Sequence, residues 1–149
     1  MSETRQVGDR AADYFGSGYN CSQSVLLAIS EHWRIESELI PKIATAFGGG
    51  MGRCGSVCGA VAGGVMAIGM RLGTNEPLLI ERLESYEAAK AFYTRFKAIH
   101  GSVMCRDLLG HDLSQDGEHE LAQKEKAFEN RCPNFIRTAV EILLSLSSI

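Results

Sequence analysis

The sequence predicts an all-α protein, a compact orthogonal helical bundle with a buried glycine-rich central helix. Three observations carry this. Apolar residues recur at three- and four-residue steps along most of the chain, the period of an amphipathic helix. Valine and isoleucine rarely alternate with polar residues at period two, so strands are not indicated. Glycine clusters and capping residues divide the chain into helix-length pieces.

Taken in order, Val7 to Tyr14 predicts a short first helix, stopped at Gly16-Ser17-Gly18. Asn20 caps the second, with Gln23 placed to close a capping box. Val25, Ile29 and Trp33 then recur at four-residue spacing, with Leu26 beside them. Ser37 to Phe47 reads as a third helix whose face carries Leu39, Ile40, Ile43, Ala44 and Phe47. Pro41 falls in its first turns, where proline is tolerated. Gly48-Gly49-Gly50-Met51-Gly52 breaks it.

Ser56 is the expected cap of the helix that follows. Val57 to Met70 is the most apolar stretch and holds four glycines. It is shorter than the roughly 20 residues that span a bilayer, so a buried helix is expected and an integral membrane protein is not. Gly59 and Gly63, like Ala60 and Gly64, lie four apart, and small faces let another backbone come close. A neighbouring helix of the same chain or a homodimer seam would account for them.

Leu72 to Asn75 ends that helix. Glu76 to His100 predicts a long amphipathic helix with Leu79, Leu83, Tyr86, Ala89, Tyr93 and Phe96 on its buried side. A short helix through Cys105 to Leu109 is stopped by Gly110. His111 to Glu120 is polar and reads as a mobile loop, and Leu121 to Asn130 as weakly helical. The last helix is expected over Pro133 to Leu146, with Ile136, Ala139, Val140 and Leu143 inward.

The 149 residues suit one domain over 1–149, and a 45% hydrophobic content argues against disorder. A net charge of −3 with no basic run argues against nucleic-acid binding. The polar N-terminus has no signal-peptide core, so a cytoplasmic location is expected. In a reducing cytosol, sparse cysteines are more often catalytic or metal-binding than structural disulfides.

Five cysteines are present, and the odd count argues against a fully paired framework. Cys21, Cys58, Cys105 and Cys132 each stand where a helix is expected to begin. There, free N–H groups and a partial positive charge favour a thiolate. Cys54 and Cys58, three residues apart in between, could share one metal. The glycine run could cradle a phosphate, but it lacks a P-loop ending, and a tight connector to Cys54 and Cys58 is the preferred reading. Arg53 and Arg106 neighbour cysteines and could steady thiolates or simply be solvated. Of His32, His100, His111 and His119, all expected at the surface, His100 is placed to serve Cys105 as a proton donor or ligand.

Tyr19-Asn20-Cys21-Ser22-Gln23-Ser24-Val25-Leu26, Phe47-Gly48-Gly49-Gly50-Met51-Gly52 and Cys58-Gly59-Ala60-Val61-Ala62-Gly63, followed by Cys105-Arg106-Asp107-Leu108-Leu109-Gly110 and Cys132-Pro133, resemble the redox-active proteins named for the pattern C-GCAxxG-C-C. The resemblance covers nearly the whole chain. It implies a redox-active or metal-binding role for Cys21, Cys58, Cys105 and Cys132. This chain reads Cys-Gly-Ala where the family label has Gly-Cys-Ala, and Cys54 is an additional thiol.

Convergence of the four cysteines would suit a [2Fe–2S] or similar cluster, a zinc ion, or dithiol–disulfide cycling with a redox partner protein. No C-x-x-C-H motif occurs, so covalent haem is not expected. The competing reading is a binding or dimerisation module in which a thiolate metal site staples the fold. A cysteine-nucleophile enzyme with His100 as base is a third.

Overall fold

The computed structural model describes residues 2–149. The protein is all-α, with seven α-helices, one 3-10 helix and no strand among the described residues. The α-helices are α1 (Glu3–Gly16), α2 (Cys21–His32), α3 (Gly59–Leu72), α4 (Leu79–His100), α5 (Cys105–Leu109), α6 (Glu118–Lys124) and α7 (Ala127–Ser145). α1 lies against α7 and α2, α2 against α3, and α4 against α3 and α7. The core between them holds Leu26, Ile29, Ile68, Phe92, Phe96, Ile136, Val140 and Leu143.

Local chemistry sets the ends of the early helices. α1 starts further upstream than its apolar pattern suggests because Ser2 caps it, its hydroxyl accepting from the Arg5 N–H at 3.2 Å. α2 has the predicted capping box. The Gln23 N–H donates to Asn20 Oδ1 at 3.0 Å, and the Asn20 N–H donates to Gln23 Oε1 at 3.2 Å.

The expected helix over Ser37–Phe47 is not there. Residues 37–41 form turns, and only Lys42–Phe47 coils, as a 3-10 helix. Ala44 is its single buried side chain, while Leu39 and Ile43 face solvent. Pro41 has no N–H to donate and disfavours the α region at Ile40, so no α-helix runs through them, and the start of α2 takes up free carbonyls further on. Ser22 Oγ donates to the Ala44 carbonyl at 2.7 Å, and Asn20 Nδ2 to the Thr45 carbonyl at 2.9 Å.

The cap of α3 is Cys58, not Ser56. Ser56 serves the backbone instead: its N–H donates to the Gly50 carbonyl at 2.9 Å and its carbonyl accepts from the Cys105 N–H at 2.6 Å. An isolated antiparallel bridge pairs Val57 with Met104 beside it. The small face of α3 is filled from within the chain. A Cβ on Gly63 would lie 2.6 Å from the Ser22 carbonyl oxygen, and one on Gly64 would collide with the Phe92 ring. A close crossing by α2 and α4, and not a dimer seam, occupies those glycines.

Of the predicted inner side of α4, Phe96 is buried and Ala89 partly buried, but the rest faces out. Ala88, Phe92 and Phe96 are buried, whereas Leu79, Leu83, Tyr86 and Tyr93 are exposed. The helix is apolar on two sides, so periodicity could not choose between them. Further on, His111 to Glu120 is not an unstructured loop. His111 and Leu113 are buried, and α6 already begins at Glu118. α7 starts six residues before the expected Pro133, which lies inside it.

Candidate functional site

Four cysteines from four helices line one cavity of about 920 Å³. Cys21 is the first residue of α2, Cys58 caps α3, and Cys105 opens α5. Cys132 differs from expectation: it lies in the second turn of α7, not at a helix start. Pro133 misleads here, since proline is also tolerated where a helix is already under way if its missing N–H is accommodated. Cys54 stands apart. It is exposed in the glycine turn and does not line the cavity.

The backbone draws these residues together. The Cys58 N–H donates to the Val103 carbonyl at 2.7 Å, so the bridge that ends at Met104 also holds Cys58 near Cys105. A Cβ on Gly59 would lie 3.1 Å from the Cβ of Cys21, which shows how closely α3 meets the start of α2. The glycine turn closes the cavity's rim with Gly48, Gly49, Gly50, Gly52 and Arg53. The later N–H groups of the turn bond within it: Met51 donates to Phe47, Gly52 to Ala46, Arg53 to Gly48 and Gly55 to Gly49.

Burial decides the protonation of three thiols. Desolvation pushes the Cys58 thiol up to about 11, although the amides of Ala60 and Val61 at the helix start pull it back. It pushes Cys105 up to about 12, with the other sulfurs and Asp112 adding to the shift. The neighbouring Cys132 sulfur, followed by burial, raises Cys21 well above its ordinary value. The same contact holds Cys132 below its ordinary value, and Arg131 helps. So the expectation that a helix start alone makes a thiolate fails at Cys21, Cys58 and Cys105. Of the four, Cys132 alone is shifted below its ordinary value.

His100 does not reach this cavity. Its ring packs against Phe96 and Phe135, with centroids 4.9 and 5.0 Å away, and its Nε2 lies 2.9 Å from Thr138 Oγ1. The Thr138 hydroxyl proton is committed to the Asn134 carbonyl at 3.0 Å, so Nε2–H must be the donor to Thr138. His119 lines the cavity instead. Arg106 does not line it but faces Asp112, whose carboxyl is held low chiefly by Ser114 and less by Arg106.

Sequence reasoning missed two features. His111 is buried, with Nδ1 2.9 Å from Glu118 and Nε2 2.9 Å from Glu125. It therefore binds both ends of α6, which carries His119 and Gln123 to the cavity. Arg131 Nη1 donates to the Leu109 carbonyl at 2.5 Å, tying the end of α5 to the turn of α7 that holds Cys132. Its place next to Cys132 in the chain was the available signal.

Four soft sulfurs are a suitable donor set for zinc or an iron–sulfur cluster. They are not drawn into a cage, however. Among the described residues, no three His, Cys, Asp or Glu side chains form a group that could hold a metal ion.

The fold and cavity thus define a class: a helical protein that gathers dispersed cysteines at one site. The chain belongs to the family described as "Putative redox-active protein (C_GCAxxG_C_C)", which matches residues 19–146. It is also similar to an uncharacterized protein of Archaeoglobus fulgidus, 28% identical over 97% of this chain and 95% of the relative. No solved structure matches the chain. No described helix is long and apolar enough to cross a membrane.

Proposed function

We propose that the cavity performs thiol–disulfide exchange for electron transfer, with Cys132 as attacking thiolate and Cys21 as resolving thiol. The observation that carries this reading is the convergence of Cys21, Cys58, Cys105 and Cys132 on one cavity, in which Cys21 and Cys132 shift each other's ionisation in opposite directions. The Cys132 thiolate attacks one sulfur of a substrate disulfide. A mixed disulfide forms and the other substrate sulfur leaves as a thiolate, which takes up a proton. Cys21, once deprotonated, then attacks Cys132 Sγ and releases the second substrate thiol. The Cys21–Cys132 disulfide forms, and the substrate gains the pair's two electrons, one proton from Cys21 and one proton from water. Cys58 and Cys105, protonated near neutral pH, constitute a second dithiol in reserve. A reducing cytoplasm and a redox partner protein fit this use.

The donor set favours a second reading, in which Cys21, Cys58, Cys105 and Cys132 hold a zinc ion or iron–sulfur cluster, as a redox centre or as a staple of a binding module. Ligation requires the sulfurs to close in from their present places, and Cys54 would have to enter from the rim to take part. Anaerobic purification followed by iron and zinc analysis, visible absorption and incubation with oxidised glutathione separates the two. The exchange reading expects a colourless, metal-free chain that turns one equivalent of glutathione disulfide into two thiols. A stoichiometric metal, with loss of fold on chelation, establishes the staple instead.

A further inference from the structure

The first two turns of α4 stand clear of the protein body, and every side chain from Leu79 to Glu84 is exposed. Yet this segment is strongly apolar. Leu79 is 62%, Ile80 73%, Leu83 47% and Tyr86 56% exposed, with Leu78 just before them. A free helix end of this composition is marginal in water and gains from a partner.

The exposed residues follow a pattern. Leu79, Leu83, Tyr86, Lys90, Tyr93 and Lys97 recur at alternating steps of four and three, the seam of a two-helix coiled coil. The residues that α4 gives to its own core, Ala88, Phe92 and Phe96, lie on the far side of the helix. Charge is polarised along it. Glu81, Glu84 and Glu87 outnumber Arg82 in the first half, while Lys90, Arg95 and Lys97 have no acidic neighbour in the second. Parallel pairing would set like charges together. Antiparallel pairing of two copies sets Lys90 of each beside Glu87 of the other, and brings Lys97 over the opposite Leu79 end.

We propose that the outer face of α4 is a homodimer interface, with two copies packed antiparallel about a twofold axis near Glu87 and Lys90. The seam is isologous, so each copy covers the other's projecting turns with its own Tyr93 and Lys97 half. It lies opposite the core face of α4 and leaves the glycine face of α3 to α2 and Phe92.

Sedimentation equilibrium on the full chain, with circular dichroism as the fold control, tests this. The wild-type chain is expected at twice the monomer mass. The Leu83→Glu, Tyr86→Glu double variant, altered only at exposed sites, is expected at the monomer mass with unchanged helicity. Glu87→Lys and Lys90→Glu should each weaken self-association, and mixing the two single variants should restore a dimer. A monomeric wild-type chain overturns the proposal, and so does a double variant that dimerises as well as wild type. A wild-type monomer that instead floats with anionic phospholipid vesicles would assign the face to a lipid surface and equally overturn it.

Discussion

A Cβ on Gly50 would stand 2.7 Å from the Cβ of Cys105 and 2.6 Å from the backbone nitrogen of Ser56. Gly50 also has a φ of 72°, in the left-handed region that side chains disfavour. The turn and the cysteine therefore share one space. Gly50→Ala is expected to destabilise the protein by about 2–4 kcal/mol, from backbone strain plus overpacking, and to move Cys105. Urea unfolding measures the first effect, and a changed alkylation rate at Cys105 reports the second.

The thiols are expected to differ sharply in reactivity. Cys132, held below the ordinary thiol value, keeps a thiolate as pH falls, whereas Cys58 and Cys105 ionise only near pH 11 and 12. In reduced protein near neutral pH, iodoacetamide should label Cys132 ahead of Cys58 and Cys105. Cys21→Ala removes the neighbouring thiol that lowers Cys132, so the pH midpoint for Cys132 labelling should rise. Peptide-mapped alkylation rates across pH check both statements.

His111 clamps α6 through two carboxylates, one of them more than half exposed. His111→Ala should cost about 1–2 kcal/mol, since the charged hydrogen bonds are partly screened by solvent. Hydrogen exchange in α6 should accelerate. Glu125→Gln should cost less than Glu118→Gln, because the Glu125 side chain is the more exposed of the two.

His100 sets a pH dependence of stability. Desolvation holds its pKa below the usual histidine value. Protonation is therefore harder in the folded than in the unfolded state, and the folded state binds fewer protons. Stability is full above the unfolded value near 6.5 and falls as pH drops through 6.5 towards the lowered folded value. His100→Phe keeps the aromatic packing on Phe96 and Phe135 and should flatten this part of the curve, as measured by urea midpoints at successive pH values.

The helical class and the convergence of Cys21, Cys58, Cys105 and Cys132 were legible in the sequence for different reasons. Class followed from periodicity, and the capping box at Asn20 and Gln23 is a local signal that tertiary packing did not override. Convergence was suggested by the spaced motifs, although no short stretch encodes it. Three misreadings have physical causes. α4 is apolar on two faces, and only the packing of α3 and α7 selects Phe92 and Phe96. The segment 37–47 has helical spacing, but Pro41 withholds an N–H and disfavours the α region at Ile40. The His111 clamp joins residues 7 and 14 positions apart without a periodic pattern, so it left no trace to read.

The pairing of Cys21 with Cys132 is the most direct test of the account. Reduced, metal-free protein is treated with a limiting amount of oxidised glutathione, digested at acidic pH, and its disulfides mapped by mass spectrometry. The account predicts a Cys21–Cys132 bridge as the first product, with Cys58 and Cys105 still reduced. A first bridge that omits Cys132, or four thiols that stay free under oxidant, would contradict it.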